Sequence, residues 1–513
     1  MSSIVKTIKP TMMLMVVLLL LFGITYFLLR ASAVVGFSQL LGISTLLFIL
    51  ALSWNRKAYW LMGFPLVLIG VFYLPTGLMY GFPSADIVAA LFYTNPGEAM
   101  GYLSVISKKE YAYALALLLC GIGFGWSYQR YSVGFKKTTA VIAAAVLVVL
   151  FMLQPLRPVL MQVSYPVGFF KKVYEVAQTY RSDDVRAQGL SLWSIQEVAP
   201  AYDNYVLVIG ESARRDYLSA FGYPQETTPF MNVSPGTLVE GLVSPGASTV
   251  ASLTRMLTLS SPDDGEPINY RYSLMDLAKA AGLKTYWISA QGKYGSTESP
   301  VSIMGQKSDF SYFAKIKGSN LRGPSDASLL PIFKDKLFND TVAEKRLLVL
   351  HLFGSHADVC DRVPEVNPKF HHSLGRPYEC YQTSIEQTDR LLAEVAEALR
   401  QDQKEHGRSF SMVYFSDHGQ GQFPNALRHS GKVKQGFEVP LFRLNSDDTQ
   451  QNYIKANKSG FNMVHGLAHW LGVKAEGLKS DYDLFSDVAD QNVRVDANPS
   501  VSYADLADDP ATE

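Results

Sequence analysis

Five long uncharged runs in the first third of the chain constrain its fold more than any other feature. They contain 20, 25, 28, 19 and 19 residues between charged side chains. About 20 apolar residues are enough for a helix to cross a bilayer core, so each run can span a membrane. We therefore predict a transmembrane domain at 1–156 rather than the alternative, buried helices of a soluble core. The five helices are expected at about 11–29, 32–54, 59–80, 111–129 and 138–156.

The positions of the basic residues predict the orientation of this domain. Ten lysines and arginines precede residue 156. Seven of them lie before the first run, between the second and third runs, or between the fourth and fifth runs. All seven therefore lie on one side, and an excess of this kind marks cytoplasmic loops. We expect the N-terminus in the cytoplasm and, after five crossings, the rest of the chain in the periplasm of a bacterium.

Net charge separates the chain into two unlike parts. Residues 1–155 carry ten bases and three acids, the remainder carries 36 bases and 43 acids, and the formal total is zero. Nucleic-acid-binding proteins usually carry an excess of lysine and arginine that contacts the phosphates. Since this chain has no such excess, we predict no nucleic-acid partner. The remainder is expected to contain a bridging or interfacial segment at 157–200, an exported domain at 201–488 and a disordered acidic tail at 489–513.

The exported domain alternates short apolar runs with amphipathic helices. The runs are almost continuously apolar, as are strands that are buried on both faces of a parallel sheet. The predicted strands are 205–210, 284–289, 346–352 and 409–416. A helix is predicted at 383–401, where apolar residues share one face. The alternation indicates an α/β domain with a doubly wound, mostly parallel sheet.

Polar clusters follow three of the predicted strands, where ligands of such sheets bind. Glu211 follows the first strand, His356 the third, and Asp417 with His418 the fourth, while His429 lies in a later Leu-Arg-His-Ser-Gly segment. An adjacent aspartate and histidine offer an oxygen and an imidazole nitrogen, which suit zinc. Taken singly, each residue also has a structural interpretation, such as a helix-terminal acid or a core histidine.

A hydroxyl-rich segment, Gly-Ala-Ser-Thr at 246–249, offers a nucleophile. Apolar residues at helical spacing follow it, so Ser248 and Thr249 are expected where a loop opens a helix. A hydroxyl at that position is usually an N-cap. The alternative is a nucleophile, because helix N–H groups stabilise an incoming phosphate and a bound zinc would lower the hydroxyl pKa.

Cysteine usage agrees with export of the second part. Cys360 and Cys380 are its only cysteines, and we predict that they form a disulfide, with two free thiols as the alternative. Cys120 lies inside the fourth uncharged run and is expected to be a packing residue.

Several segments together resemble one family. They occur in the order GESARRD, TTPF, HLFGSH, the Cys360–Cys380 interval, FSDHGQ and RHSG. This order, with the five-span N-terminal part, is similar to phosphoethanolamine transferases of the alkaline phosphatase/sulfatase superfamily. The resemblance covers nearly the whole chain, and GESARRD and HLFGSH look most like the branch that modifies osmoregulated periplasmic glucans.

The resemblance implies an alkaline phosphatase-like catalytic domain with one firmly bound zinc ion and room for a second. The implied zinc ligands are Glu211, Thr249, Asp417 and His418. Thr249 would be the nucleophile that forms a phosphoethanolamine-enzyme intermediate. His356 and His429 would hold the phosphoryl group or a second zinc and protonate the leaving oxygen.

Four further residues are implied to bind the substrate. Thr94 and Glu98 match a periplasmic loop between the third and fourth helices, where they would receive the ethanolamine ammonium. Gln291 and Lys293 follow the second predicted strand and would contact the phosphate.

The implied activity is transfer of phosphoethanolamine from phosphatidylethanolamine by a monomeric, multi-pass protein of the bacterial inner membrane. The acceptor is a hydroxyl of a periplasmic glucan, lipid A, a core sugar or another glycan, and the residues do not distinguish these. A phosphoglycerol transferase of the same superfamily is the alternative activity. A sulfatase is disfavoured because SPGAST lacks the C/S-x-P-x-R signature. A membrane scaffold without enzymatic activity is the alternative from another class.

Overall fold

The computed structural model describes most of the chain, which divides into two compact units. The described residues are 10–31, 39–53, 55–80, 103, 106–130, 137–152, 174, 191–262, 268–291, 299–314, 325–340, 345–356, 359–363, 365–424, 426–495 and 501–512. The first unit comprises residues 1–88 and 104–176, and the second comprises 89–103 and 177–513.

The described residues of the first unit are helical at all five predicted runs. The helices are α1 (Pro10–Ala31), α2 (Gln39–Ala51), α3 (Arg56–Ala58), α4 (Phe64–Tyr80), α5 (Lys108–Arg130) and α6 (Lys137–Met152). A π-helical turn at Tyr59–Gly63 joins α3 to α4. Of the described helices, the stretch Arg56–Leu78 is long and apolar enough to cross a membrane, and Leu14–Arg30 and Ala140–Val149 are shorter apolar segments. The five-span topology therefore stays a prediction.

Large apolar side chains lie on the outside of these helices. Leu19 is 69% exposed, Leu61 74% and Phe72 80%. The interior is also apolar, with Val17 and Leu117 fully buried. Helices that are hydrophobic on every face favour a lipid surrounding over water.

The second unit is built on an eight-stranded sheet. Its strands are β2 (Asn204–Gly210), β3 (Gly236–Val243), β4 (Lys284–Ser289), β5 (Phe310–Phe313), β6 (Arg346–His351), β7 (Phe410–Ser416), β10 (Leu441–Asn445) and β11 (Gln451–Ser459). Their order in the sheet is β11-β3-β10-β7-β2-β6-β4-β5. The remaining described strands form two-stranded pairs and are β1 (Ile195–Val198), β8 (Gly421–Phe423), β9 (Ala426–Arg428), β12 (Val473–Ala475), β13 (Arg494–Val495) and β14 (Val501–Ser502).

The sheet is mixed, although most of its pairings are parallel. Strand β10 runs antiparallel to both of its neighbours, β3 and β7. The other five pairings in the sheet are parallel. The predicted mostly parallel sheet is thus confirmed, with one reversed strand that the sequence pattern did not indicate.

Both faces of the sheet are covered, as the apolar runs predicted. In β2, Tyr205, Leu207 and Ile209 join the core on one face, and Val206 and Val208 join the core on the other. This alternation follows from the two-residue period of a strand. The described helices of the unit are α7 (Pro229–Val233), α8 (Thr249–Met256), α9 (Leu274–Ala280), α10 (Pro300–Gln306), α11 (Leu330–Asn339), α12 (Arg376–His406) and α13 (Met463–Trp470).

Two predicted segment boundaries differ from the structure. Helix α12 is longer than the predicted 383–401 and begins with Pro377 in its first turn, where proline needs no N–H partner. In the bridging segment 157–200, the described residues 191–200 include β1, which pairs with β12 of the second unit.

The described part of the predicted disordered tail is ordered. Strand β13 pairs with β14, and a 3-10 turn follows at Tyr503–Asp505. The acidic composition suggested a solvated segment, but two of its acids, Asp508 and Asp509, have specific partners. Asp509, for example, pairs with the buried Arg214.

Candidate metal centre

Two neighbouring strands bring the candidate ligands to one edge of the sheet. Strands β2 and β7 are parallel, and Gly210 at the end of one faces Ser416 at the end of the other. Glu211 follows the first strand, and Asp417 and His418 follow the second. The three side chains are therefore adjacent, and all are at most 1% exposed.

Glu211 is the centre of a polar network. Its Oε2 accepts hydrogen bonds from Thr249 Oγ1 at 2.9 Å and from Gln291 Nε2 at 2.9 Å. Its Oε1 accepts one from Ser212 Oγ at 2.7 Å and lies 3.3 Å from His418 Nε2. A carboxylate with this many partners is held in one orientation.

Asp417 and His418 each use one side-chain atom for hydrogen bonds with the backbone. The other polar atom of each side chain makes no hydrogen bond among the described residues. Asp417 Oδ1 accepts the backbone N–H groups of Ser212, at 2.9 Å, and His418, at 2.8 Å. His418 Nδ1 lies 2.7 Å from the carbonyl oxygen of Gly419, so its N–H is assigned to that nitrogen. This bond fixes the ring and directs Nε2 away from the backbone, as in metal-ligating histidines.

Three buried atoms at this edge have no hydrogen-bond partner among the described residues. They are Asp417 Oδ2, His418 Nε2 and His429 Nε2. Ligand atoms of Glu211, His418 and His429 all lie within 4.8 Å of one another. A buried polar atom without a partner costs about 1–3 kcal/mol. A carboxylate and two imidazoles with open lone pairs fit a zinc ion.

The charges of the cluster also favour a cation. Burial and the charge of Glu211 raise the pKa of Asp417 to about 7. Burial lowers the pKa of His418, but the carboxylates of Asp417 and Glu211 outweigh it and raise that pKa to about 9. Burial, together with His418 and His356, holds the pKa of His429 well below its usual value, so its ring is neutral. Without an ion the cluster therefore retains protons, which a metal would displace.

Thr249 is the first residue of α8, and its hydroxyl faces the ligand cluster. Ser248 occupies the N-cap position, but its side chain makes no capping hydrogen bond. The Thr249 hydroxyl instead donates to Glu211. Of the two interpretations of this segment, the contact with a candidate ligand favours a chemical role for Thr249 over a cap.

The structure describes some of the predicted substrate-binding residues but not all of them. His356 is half-buried after β6, with its ring centroid 6.4 Å from that of His429. Gln291 contacts Glu211 rather than standing apart from it, and also donates to the carbonyl oxygen of Leu352 at 3.0 Å. Thr94, Glu98 and Lys293 lie outside the described residues.

Sequence reasoning assigned no role to Ser212, which has a strained backbone at the centre of the site. Its φ of 58° is in the left-handed region, which is uncommon for a residue other than glycine. Its N–H binds Asp417, its hydroxyl binds Glu211, and its carbonyl oxygen accepts a hydrogen bond from Tyr381 at 2.7 Å. Strain of this kind persists where surrounding contacts enforce it and is common at functional sites.

Asp326 was also missed, because it lies far from any strand end in the sequence. Its two oxygens accept the backbone N–H groups of Phe353, at 2.7 Å, and Gly354, at 2.9 Å. Gly354 has a φ of +46°, and a Cβ there would lie 2.9 Å from the carbonyl oxygen of Glu211. Asp326 thus fixes the loop that leads to His356.

Cys360 and Cys380 form a disulfide, with their Cα atoms 5.2 Å apart. The bond links the 3-10 turn Val359–Asp361 to the first turns of α12. Arg362 follows this turn and donates to the carbonyl oxygen of His356. The disulfide therefore supports the loop that carries one of the candidate histidines.

Comparison with known sequences gives relatives over most of the chain. The Sulfatase family model matches residues 203–473. Phosphoethanolamine transferase OpgE of Escherichia coli is 31% identical over 438 residues, covering 82% of this chain and 81% of OpgE. A Haemophilus influenzae protein, provisionally described as a phosphoethanolamine transferase, is 38% identical over 382 residues, covering 72% of this chain and 76% of its own length.

Solved structures show the same fold. The integral membrane protein lipooligosaccharide phosphoethanolamine transferase A of Neisseria meningitidis superposes with a TM-score of 0.61 at 14% identity, covering 91% of this chain and 96% of that chain. The periplasmic domain of EptC from Escherichia coli, solved as a complex with Zn, superposes with a TM-score of 0.54 at 22% identity, covering 62% and 96%.

An alkaline phosphatase-like mixed sheet, with candidate metal ligands at the ends of its strands, defines the class. The match over residues 203–473 shows that the chain belongs to the Sulfatase family. Within it, the extent and identity of the match to OpgE show that the chain belongs to the phosphoethanolamine transferases. The resemblance stated from the sequence is confirmed.

Proposed function

We propose that this protein transfers phosphoethanolamine from phosphatidylethanolamine to a hydroxyl of an envelope glycan, through a covalent intermediate on Thr249 at a zinc site. One observation carries the proposal. The Thr249 hydroxyl lies 2.9 Å from Glu211, beside buried atoms of Asp417, His418 and His429 that have no hydrogen-bond partner among the described residues. A nucleophile and an open ligand set in one place suit phosphoryl transfer.

Zinc would be held by Glu211, Asp417 and His418, with Thr249 as a further ligand. When bound, it would supply a Lewis acid for the phosphoryl oxygens and lower the pKa of the threonine hydroxyl. His429 has its Nε2 within the same cluster, so it would complete this site or hold a second ion with His356. The Zn complex of the Escherichia coli EptC domain supports the choice of metal.

In the first step, Thr249 Oγ1 attacks phosphorus, and the bond from phosphorus to the glycerol oxygen breaks. The hydroxyl proton has an acceptor in Glu211 Oε2, to which it is already directed. The glycerol oxygen takes a proton from His356, whose ring centroid lies 6.4 Å from that of His429. Diacylglycerol leaves as a neutral alcohol, and phosphoethanolamine remains esterified to the threonine.

In the second step, the acceptor hydroxyl attacks the same phosphorus, and the bond to Thr249 breaks. His356, now without its proton, takes the proton of the acceptor hydroxyl, and Glu211 returns a proton to the threonine. The cycle therefore ends with every side chain as it began. An imidazole that serves as acid and then as base is common in two-step transfers.

A lipid donor explains why the chain carries an apolar unit. The exposed side chains of Leu61 and Phe72 suit a membrane surrounding, in keeping with the proposed five-span domain at 1–156. Thr94 and Glu98 remain proposed to receive the ethanolamine ammonium, on the strength of the sequence resemblance. The same resemblance makes periplasmic glucan the first acceptor to test, ahead of lipid A and core sugars.

A donor comparison tests the proposal. The full chain in detergent is incubated with phosphatidylethanolamine or phosphatidylglycerol, each labelled in the head group, with a glucan fraction as acceptor. We expect label in the glucan from phosphatidylethanolamine alone, and none after chelation of zinc. Transfer from phosphatidylglycerol instead would identify a phosphoglycerol transferase, and release of label to water alone would identify a hydrolase.

A further inference from the structure

The last described residues of the second unit, 503–512, begin with the 3-10 turn Tyr503–Asp505 and continue without a further helix or strand. We name this segment the C-terminal strap. Asp509 is its central contact. Its Oδ2 lies 3.2 Å from Arg214 Nη1, and its carbonyl oxygen accepts a hydrogen bond from Arg214 Nη2. Asp216 joins this contact, since its Oδ2 accepts the N–H of Ala511 at 2.8 Å. Both partners lie in the segment directly after Glu211.

The strap also holds the hairpin that leads to His429. Strands β8 and β9 form this hairpin, which ends one residue before the histidine. Gln422 N–H donates to Asp509 Oδ2 at 2.8 Å, and Gln422 Nε2 donates to the carbonyl oxygen of Pro510 at 2.7 Å. Thr512 N–H returns to Gln422 Oε1 at 3.2 Å. The backbone and side chain of one hairpin residue are thus both bound to the strap.

The segment after His429 is held in the same way. Gln435 Nε2 donates to Asp508 Oδ1 at 2.6 Å, and Gln435 Oε1 accepts the N–H of Asp509 at 2.8 Å. Lys434 N–H donates to the carbonyl oxygen of Ala507 at 2.9 Å. The chain on both sides of the histidine therefore depends on the strap for its position.

The contact extends to His418 through the backbone. Gly419 N–H donates to the carbonyl oxygen of Gly436 at 2.9 Å. The packing is so close that a Cβ on Gly419 would lie 1.9 Å from the carbonyl oxygen of Gln435. Gly419 in turn accepts the Nδ1–H of His418. A displacement of the segment at Gln435 would therefore turn the imidazole of His418.

We propose that the C-terminal strap positions the zinc ligands, and that Asp509 is its principal positioning residue. The strap joins three segments that are distant in sequence and that carry Glu211, His418 and His429. Ligand geometry within about 0.5 Å is needed for a functional metal site, and loss of a supporting contact typically costs about 10–100-fold in metal affinity. The proposal rests on the proposed zinc site.

The test compares zinc affinity in two matched variants of the full chain in detergent. Asp509→Ala removes the central contact, whereas Asp505→Ala removes an exposed acid of the same strap. Zinc dissociation constants are measured by competition with a chromophoric chelator, and the Tm is measured without metal. We expect about 10–100-fold weaker binding for Asp509→Ala and no change for Asp505→Ala.

Each outcome has one meaning. A merely structural strap would lower the Tm of Asp509→Ala without metal and leave its zinc affinity at the wild-type value, which would overturn the proposal. Asp509→Asn, which keeps an acceptor for the Gln422 N–H, is expected to bind zinc with intermediate affinity and serves if Asp509→Ala does not fold. Wild-type protein that binds no zinc would overturn the proposed metal site, and the strap proposal with it.

Discussion

Charged groups are buried at both ends of the central strands, but the two ends differ in how completely these groups are hydrogen-bonded. At the amino ends of β2 and β6, Arg346 Nε donates to Asn204 Oδ1 at 2.8 Å. Asp402 completes this cluster and accepts from Asn204 Nδ2 at 2.8 Å and from Arg408 Nη1 at 3.3 Å. His406 Nδ1 lies 2.8 Å from the same carboxylate. The charges at this end are paired with one another.

At the carboxyl ends the buried charges are close together but incompletely hydrogen-bonded. His418 Nε2 lies 3.3 Å from Glu211 Oε1 and 3.5 Å from Asp417 Oδ2. Neither His418 Nε2 nor Asp417 Oδ2 nor His429 Nε2 makes a hydrogen bond among the described residues. The difference separates two uses of buried charge. A carboxylate with hydrogen-bond partners on both oxygens, as in Asp402, stabilises the fold and is destabilising only when its network is broken. Carboxylate and imidazole atoms without hydrogen bonds are instead available to a ligand that the fold itself does not provide.

The largest effect is expected from Asp417→Asn. The variant keeps Oδ1 for its two backbone donors but replaces the unbonded oxygen, so transfer should fall by at least about 10⁴-fold. The Tm without metal should stay close to that of the wild type, because asparagine keeps the volume of Asp417 and the Oδ1 acceptor for the N–H groups of Ser212 and His418. A variant that is inactive only because it is less stable would contradict the distinction between the two ends.

Asp402→Ala should have the opposite profile. Asp402 Oδ2 lies 3.6 Å from Arg346 Nη2, so the variant leaves both Arg346 and Arg408 without their shared carboxylate. Breaking a buried pair typically costs about 3–5 kcal/mol. Chemical denaturation of the full chain would measure this loss. Transfer per folded molecule should be unchanged, and a large loss of turnover without loss of stability would show that this end also takes part in function.

The strands that the sequence predicted are the most continuously apolar ones. Strands β2, β4, β6 and β7 were predicted because their residues are apolar and almost all buried. Strand β11 was missed because it is an edge strand with mostly exposed, polar residues. Strands β3 and β10 are mostly buried but were also missed, since glycines and a glutamate interrupt the apolar pattern of β3 and an arginine and an asparagine interrupt that of the short β10.

The site was predictable in part for the same reason. Glu211, Asp417 and His418 directly follow buried strands, so topology alone brings them together. The partners of the C-terminal strap could not be predicted, because Asp509 is 295 residues from Arg214 and no local pattern links them. The strained backbone of Ser212 could not be predicted, because the residue type alone does not indicate a positive φ.

Zinc should stabilise the protein only through the ligands at the carboxyl ends of the central strands. Free zinc at 100 times its dissociation constant is expected to add about 2.7 kcal/mol to the free energy of unfolding. Asp402→Ala should retain this increment, and Asp417→Asn should lose it. Denaturation with zinc and with a chelator measures the increment, and an equal increment in both variants would place the metal elsewhere.

A smaller, pH-dependent effect is expected at His351, which ends β6. Burial lowers the pKa of its imidazole to about 4 from the usual 6.5, so the unfolded chain binds its proton more readily. Stability should therefore fall as the pH falls from about 6.5 to 4, by about 2 kcal/mol between pH 7 and pH 5. In His351→Gln this contribution should disappear, which unfolding at the two pH values would show. If the stability of His351→Gln fell between pH 7 and pH 5 as much as that of the wild type, this role of His351 would be contradicted.

The central claim is that Thr249 at the open end of the sheet carries the transferred group. Intact-mass measurement of the full chain after incubation with phosphatidylethanolamine, without acceptor, tests it most directly. We expect a mass increase of one phosphoethanolamine group in the wild type and in Ser248→Ala, with release of diacylglycerol, and no increase in Thr249→Ala. An adduct that persists in Thr249→Ala and disappears in Ser248→Ala would contradict the account.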